Sequence, residues 1–211
     1  MPVHLLQETQ DYTLGIWKMD ESEKELLPLA GPVEPPSMVN RVRRLEYLAV
    51  RALATQMGIH SADIAYLASG KPYLKDSNLT ISISHTKGYV AVLMSAHGQA
   101  GVDVEHTTDR VRKIRQKFMH PMEETVLTEV CKSINETLGL LLHWCAKEAM
   151  FKAVPEDGVD FAQELRIIDF GLQGESGSFQ GCFLRTGRNF KIDYLMQPDF
   201  VLTCSFSAES K

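Results

Sequence analysis

The sequence predicts an α+β fold in which antiparallel sheets pack against long helices. Residues 38–57 carry an apolar stripe at helical spacing, and residues 78–105 alternate between apolar and polar side chains as strands do. Residues 165–207 alternate again, in a segment rich in Gly and Phe. The order of helix and then sheet therefore occurs twice, on either side of about residue 100, without a clear sequence repeat.

The first half begins with a predicted strand over residues 12–19, followed by a Gly- and Pro-rich break over residues 31–36. The strongest helix pattern in the chain follows at residues 38–57, with Val42, Leu45 and Leu48 on its apolar side. Gly58 is placed where a helix commonly ends. The sequence therefore predicts one long helix early in the chain.

Three further strands are predicted before residue 106. Residues 78–95 divide into two strands around a turn at Lys87-Gly88, and Gln99–Glu105 forms the third. Because consecutive strands usually lie side by side, we expect these strands to join residues 12–19 in one antiparallel sheet packed on the helix of residues 38–57.

The second half opens with a basic run, Asp109–Met119, and Pro121 followed by acidic residues then starts a predicted helix. Residues 138–153 predict another helix, centred on Trp144 and apolar enough to be largely buried. A second antiparallel sheet is expected over residues 165–207, with a turn at residues 186–189.

Composition limits the function. The chain has 211 residues, of which 44% are hydrophobic and 23% charged, as in ordinary globular proteins. A formal net charge of −5 argues against a general nucleic-acid binder. We expect no membrane span and no secretory signal, because no apolar run is long enough, and therefore a cytoplasmic protein. The cysteines form no close pair and are expected to be reduced, mostly buried thiols: Cys131, Cys145, Cys182 and Cys204.

Three carboxylates and a lysine follow a spacing that suits a metal site. Asp103 and Glu105 are two apart on a strand and share a face, while Glu148 and Lys152 are four apart and share a helical face. Such a set could hold a divalent cation against a diphosphate. Taken alone, a Glu–Lys pair at this spacing is more often a solvated stabilising pair, and strand-end acids are common surface residues. Charges on a buried helix, however, need partners or a metal.

The two motifs together resemble the 4′-phosphopantetheinyl transferase superfamily. Gly101-Val102-Asp103-Val104-Glu105 is similar to its Gly-[Val/Ile]-Asp-x-Glu pattern, and Trp144-x-x-Lys147-Glu148-Ala149-x-x-Lys152 to its second pattern. Two further segments resemble elements of the larger, two-lobed branch: Gly70-Lys71-Pro72 and Ile81-Ser82-Ile83-Ser84-His85, with Ser82 where the family often has Asn. The similarity in order and spacing extends from about residue 40 to about 153.

The resemblance implies two similar lobes, residues 1–100 and 101–211, each an antiparallel sheet packed against a long helix, with the active site between them as in a pseudo-dimer. It implies an enzyme that transfers the 4′-phosphopantetheine arm of coenzyme A to a serine of an apo acyl or peptidyl carrier protein. Two alternatives remain. One is another Mg²⁺-dependent phosphotransferase, and the other is a non-catalytic module that binds coenzyme A or a carrier protein.

The family positions imply roles for individual residues. Asp103, Glu105 and Glu148 would hold Mg²⁺, with Mn²⁺ as a substitute, and Lys152 would contact the diphosphate. Glu148 is the candidate base, and the family positions leave open whether it is base, metal ligand or both. Coenzyme A phosphates would be bound by Arg44, Lys71, Ser84 and His85. Arg41 and Arg51 lie on the same helix edge as Arg44, so either could replace it, and all three could instead cover core edges.

We expect the carrier protein to dock on the basic run. Carrier proteins of the family are typically acidic around the modified serine, and the run follows directly after the strand that carries two of the carboxylates. The predicted contacts are Arg112, Lys113 and Arg115, with Phe118 as the apolar centre unless Phe118 belongs to the core. The protein itself is expected to be a monomer.

Overall fold

The computed structural model describes residues 3–35, 40–96, 98–130 and 135–207. The chain divides into two compact units, Met1–His97 and Gly98–Lys211. Cys131 and the first two residues of the helix predicted at 38–57 lie outside the described residues. In the described ranges, no helix combines the length and the apolar character needed to span a membrane.

The first unit is built around a four-stranded antiparallel sheet with the strand order β1-β2-β6-β5. Its helices and strands are β1 (Val3–Glu8), β2 (Thr13–Lys18), α1 (Glu23–Leu26), α2 (Arg41–Gln56), β3 (Ile64–Tyr66), β4 (Pro72–Leu74), β5 (Thr80–Thr86) and β6 (Tyr89–Ser95). Strands β3 and β4 form a separate two-stranded sheet.

Helix α2 supplies the core of the first unit and confirms the strongest helix prediction. The Asn40 side chain accepts a hydrogen bond from the Arg43 backbone N–H at 3.0 Å and so caps the helix start. Leu48 and Leu53 are fully buried in a cluster with Trp17 from β2. Gly58 follows the helix with a positive φ of 77°, which glycine adopts without strain.

The second unit contains a five-stranded antiparallel sheet with the strand order β7-β11-β10-β9-β8. Its helices and strands are β7 (Gln99–His106), α3 (Val111–Ile114), α4 (Pro121–Val130), α5 (Glu136–Ala153), β8 (Leu165–Asp169), β9 (Ser176–Phe183), β10 (Arg188–Met196) and β11 (Phe200–Ser207). Helix α5 packs on β7 and β11, and both faces of its middle portion are buried. The predictions of α5, of a helix starting at Pro121 and of a second antiparallel sheet are confirmed.

The predicted partner of β7 is wrong. The sequence places Gln99–Glu105 in the sheet of β2, β5 and β6, whereas β7 pairs along its whole length with β11, from Phe200 opposite His106 to Ser207 opposite Gln99. Closeness along the chain favours the first arrangement. The eight-residue ladder to β11 and the packing of α5 directly on β7 outweigh it.

Candidate active site

The side of β7 that faces α5 carries Gly101, Asp103 and Glu105, because every second side chain points the same way. A Cβ built on Gly101 would lie 2.0 Å from the backbone oxygen of Ala149, a distance that no real side chain tolerates. Glycine therefore lets the backbone of α5 lie directly on the strand. The contact is at the residue after Glu148, so it brings the two predicted acidic motifs together within the second unit.

Asp103 is buried and ion-paired. Lys152 Nζ donates to Asp103 Oδ1 at 2.7 Å and to the Val102 carbonyl oxygen at 3.0 Å. The lysine lies one helical turn after Glu148 and keeps about a quarter of its side chain exposed. It therefore balances charge at the base of the acidic group and can still reach a ligand from solvent.

Glu105 is held by the second motif through Trp144, whose indole Nε1–H donates to Glu105 Oε1 at 2.7 Å. Burial raises the pKa of Glu105, and the neighbouring Asp103 carboxylate raises it further, while the Trp144 hydrogen bond and Lys152 oppose the increase. Glu105 is thus fixed at one oxygen and destabilised as an anion by its surroundings.

Glu148 has the most strongly perturbed carboxylate of the group. Burial raises its pKa to about 7, with additional repulsion from Asp103 and Glu105 that Lys152 only partly offsets. The three predicted carboxylates are therefore electrostatic neighbours. A carboxyl group with a pKa near neutrality can accept and release protons at physiological pH.

The carboxylates are not arranged as a ready-made metal cage. Within the described residues, no three His, Cys, Asp or Glu side chains are grouped so as to hold a metal ion. Two of the three carboxylates instead accept from Lys152 and Trp144. The donor set still suits a hard cation, because it consists of oxygens whose mutual repulsion a divalent ion would relieve.

The first unit contains a cleft of about 440 Å³ at one edge of α2. Arg43 Nη1 lies 2.9 Å from His85 Nε2 and 3.0 Å from Glu46 Oε2, so an arginine and a histidine meet at its wall. The other lining residues are Tyr47, Val50, Arg51, Tyr66, Gly70, Pro72 and Ile83.

Arg51 lines this cleft together with two tyrosines. Its guanidinium lies 4.0 Å above the Tyr47 ring and 5.7 Å from that of Tyr66, and its Nη1 donates to the Tyr66 hydroxyl at 3.3 Å. Only 3% of the residue is exposed. Among the described residues, no carboxylate forms an ion pair with it. The cleft therefore combines aromatic faces with cationic groups, one of which, Arg43, is paired with the lining carboxylate Glu46. Arg51 and its tyrosines suit a flat, anionic ligand.

The predicted phosphate-binding residues occupy different places. Arg44 points away from the cleft and pairs with Glu23 of α1. Ser84 is buried, and it lies on the opposite side of β5 from His85 and Ile83, which line the cleft. Lys71 lies between two lining residues, Gly70 and Pro72. Arg43 was missed, although it is next to Arg44 in the sequence, because one residue turns a helix by about 100°.

Two arginines of the basic run are ion-paired with acidic residues. Arg115 forms ion pairs with Glu124 and Glu136, and Arg112 Nη1 lies 2.6 Å from a carboxylate oxygen of Glu136. Lys113 is exposed. Phe118 is fully buried in the core of the second unit, so its predicted place at the centre of a docking surface is wrong. The short helix α3 turns its apolar residues inward, and Phe118 follows them.

Comparison with known families agrees with the acidic motifs. The sequence model of the 4′-phosphopantetheinyl transferase superfamily matches residues 99–205, just over half of the chain, from the start of β7 into β11. Comparison with curated proteins found no match. The family match covers Asp103, Glu105 and Glu148 and lies entirely within the second unit.

Proposed function

Because the chain belongs to the 4′-phosphopantetheinyl transferase superfamily, we propose that it transfers the phosphopantetheine arm of coenzyme A to a serine of an apo carrier protein. The serine oxygen attacks the phosphorus atom that bears the arm. The bond from that phosphorus to the bridging oxygen of the diphosphate breaks, and adenosine 3′,5′-bisphosphate leaves. The observation that supports this proposal most directly is the electrostatic coupling of Asp103 and Glu105 to Glu148 where β7 meets α5.

The acidic group would hold a divalent cation. We assign the ligand oxygens to Asp103, Glu105 and Glu148, whose carboxylates suit Mg²⁺ or Mn²⁺. Glu105 uses one oxygen for Trp144, and a carboxylate has a second oxygen for a ligand. When bound, the cation would neutralise charge on the diphosphate as the leaving group departs.

The remaining chemistry belongs to the side chains. We assign to Glu148 the acceptance of the serine proton, through the carboxylate oxygen that is not used for the cation. Its pKa of about 7 is that of the metal-free site, where burial and its acidic neighbours disfavour the anion. Lys152 is partly exposed beside Asp103 and supplies a positive charge to diphosphate oxygens. Little covalent chemistry is asked of the protein beyond alignment, charge balance and this proton transfer.

The cleft of the first unit would bind the nucleotide part of coenzyme A. Arg43 and His85 offer donors to a phosphate, while Arg51 and its two tyrosines offer flat surfaces to a base. Both arginines are ion-paired, Arg43 with Glu46 and Arg44 with Glu23, but Arg44 is the weaker candidate because only Arg43 lines the cleft. Lys71 stays a candidate at the cleft edge, and the buried position of Ser84 argues for an indirect role.

Binding measurements separate these candidates. Arg43→Ala should weaken coenzyme A binding at least about tenfold, since charge-assisted contacts to phosphate contribute about 1.5–3 kcal/mol each. Arg44→Ala is the matched control on the same helix and should have a smaller effect. If Arg43 contacts the 3′-phosphate, 3′-dephospho-coenzyme A should bind the unaltered protein and Arg43→Ala with equal affinity. Equal losses in the two variants would contradict the assignment of Arg43.

The carrier protein would dock through the exposed part of the basic run. We place Lys113 at this surface and treat Arg112 and Arg115 as ion-paired supports. Lys113→Glu should raise the carrier KM at low salt and leave coenzyme A affinity unchanged, because charge complementarity mainly accelerates encounter and is screened by salt. An unchanged carrier KM at low ionic strength would place docking elsewhere.

The decisive experiment is mass spectrometry of an apo carrier protein after incubation with the protein, coenzyme A and Mg²⁺. We expect the carrier to gain the mass of one phosphopantetheine arm, and this gain to disappear with a chelator. Glu148→Gln should abolish the transfer, whereas Glu175→Gln, which alters an exposed side chain of the same unit, should not. Binding of coenzyme A without any transfer would support the non-catalytic alternative.

A further inference from the structure

We propose that Trp144 is a positioning residue, whose indole N–H fixes the Glu105 carboxylate in the orientation that binds the cation. The inference rests on the proposed metal-dependent transfer and assigns to Trp144 a part in it. The central observation is the 2.7 Å hydrogen bond from Trp144 Nε1 to Glu105 Oε1, which joins α5 to β7. A glutamate side chain has several rotatable bonds, so one strong hydrogen bond restricts which way its other oxygen points.

The indole ring is itself held in place by aromatic neighbours. Phe118 packs edge-on against it with the ring centres 5.3 Å apart, and Phe161 packs at 5.7 Å. These two rings come from segments on either side of α5 in the sequence, one before α4 and one before β8. Rings in such contact lose most of their freedom, so the N–H points in a defined direction.

Lys147 anchors both of these segments. Its side chain is fully buried, and its ammonium donates to the Phe118 carbonyl at 2.6 Å, to the Phe161 carbonyl at 3.0 Å and to Glu123 Oε2 at 2.7 Å. These three bonds use every donor of the ammonium group. Lys147 therefore points away from the candidate metal ligands, although it directly precedes Glu148 in the motif. The reason is that one residue turns the helix by about 100°.

Glu123 completes the anchor. One of its oxygens accepts from Lys147 and from the His120 N–H, and the other accepts from the Ile167 N–H of β8 at 2.7 Å. The ion pair thereby links α4, α5 and β8 behind the aromatic cluster. A buried pair of this kind is fixed by its full set of hydrogen bonds. Lys147 holds the segments of the two phenylalanines, their rings hold Trp144, and Trp144 holds Glu105. Glu105 therefore has a rigid support.

The chain provides a matched control for this tryptophan. Trp17, the other tryptophan, also donates its indole N–H to a glutamate, at 3.1 Å to Glu21 Oε2, but in the first unit. Trp17→Phe and Trp144→Phe therefore remove the same chemical group and keep a ring. Only Trp144→Phe removes a donor to a proposed metal ligand.

The first measurement is the affinity for Mn²⁺, determined from the electron paramagnetic resonance signal of free Mn²⁺. Coenzyme A is kept at one fixed concentration, and a protein-free sample serves as the blank. We expect Trp144→Phe to weaken binding about tenfold, since losing the partner of a metal ligand typically weakens affinity 10- to 100-fold. Trp17→Phe should leave the affinity unchanged. Circular dichroism and urea unfolding verify that both variants are folded.

The second measurement is made on the unaltered protein, and a variant is needed only to assign its signals. With two tryptophans, the ¹⁵N–¹H spectrum shows two indole signals, and Trp144→Phe assigns one of them by its loss. Saturating Mg²⁺ should shift the Trp144 signal, because its acceptor becomes a metal ligand, and leave the Trp17 signal in place.

The outcomes separate the inference from the proposed function. If the unaltered protein binds Mn²⁺ but Trp144→Phe binds it equally well, or the Trp144 signal does not move with Mg²⁺, the positioning role is refuted and metal-dependent transfer stands. If the unaltered protein binds no Mn²⁺, the metal-dependent function fails, and the inference fails with it.

Discussion

Replacing Glu148 with Gln should stabilise the metal-free protein while abolishing transfer. In the folded chain, burial and the carboxylates of Asp103 and Glu105 raise the pKa of Glu148 from 4.5 to about 7. The folded state therefore holds the proton more tightly than the unfolded chain. Below pH 4.5 the Glu148 carboxyl group is protonated in both states, so it does not lower the free energy of unfolding. Between pH 4.5 and 7 the unfolded chain ionises while the folded state keeps the proton, so the free energy of unfolding falls progressively. Above pH 7 the folded state carries the unfavourable charge and the loss is complete.

The expected gain in unfolding free energy follows from the increase in the pKa of Glu148. A change from 4.5 to about 7 corresponds to about 3 kcal/mol, at about 1.4 kcal/mol for each pH unit. Glu148 keeps part of its surface exposed, and solvent screening lowers the expected gain to about 2 kcal/mol. Gln has nearly the same shape and no charge, so most of this free energy should be recovered above pH 7.

The assay is urea unfolding in chelator at pH 5 and pH 8. We expect Glu148→Gln to exceed the unaltered protein in unfolding free energy by about 2 kcal/mol at pH 8 and by well under half of that at pH 5. Glu175→Gln, an exposed change of the same kind, should stay within about 0.5 kcal/mol at both values. A Glu148→Gln protein no more stable than the original at pH 8, or a difference independent of pH, would refute the electrostatic account of the site.

Two further predictions concern the support of the site. Gly101→Ala should lower the unfolding free energy by at least about 2 kcal/mol and weaken Mn²⁺ binding, because its Cβ would displace the α5 backbone. The control is Gly171→Ala, whose added Cβ has no atom within 4 Å, and it should have neither effect. Lys147→Met should cost about 3–5 kcal/mol by leaving the buried Glu123 without its cation, and adding Glu123→Gln should recover part of the loss. Urea titrations measure both, and a mild effect of Gly101→Ala would contradict the close strand–helix contact.

Local sequence pattern was sufficient to predict most of the individual helices and strands. The apolar stripe of α2 with Gly58 after it, the β5–β6 hairpin around Gly88 and the buried helix α5 are confirmed. The alternation along β7 also placed Asp103 and Glu105 on one face. Each of these features depends on residues within one or two turns or strands, which is the range over which sequence periodicity carries information.

The errors concern contacts between residues distant in the chain. The partner of β7 is β11, nearly a hundred residues later, and the alternation within β7 fits either sheet. The basic run reads as a charged surface, yet its acidic partners on α4 and α5 become visible only after folding. Phe118 looks like an exposed apolar anchor because its neighbours in sequence are charged, while its neighbours in space are Trp144 and the core.

Metal binding and stability are linked by the same carboxylates. The contact at Gly101 and the packing of α5 hold the acidic groups at a separation that burial and repulsion make unfavourable in the metal-free protein. A cation that binds only the folded state adds about 2.7 kcal/mol at a hundred times its Kd. This is about the free energy lost by ionising Glu148. The unaltered protein with metal should therefore be about as stable as Glu148→Gln without it, and the variant should gain much less from added Mg²⁺.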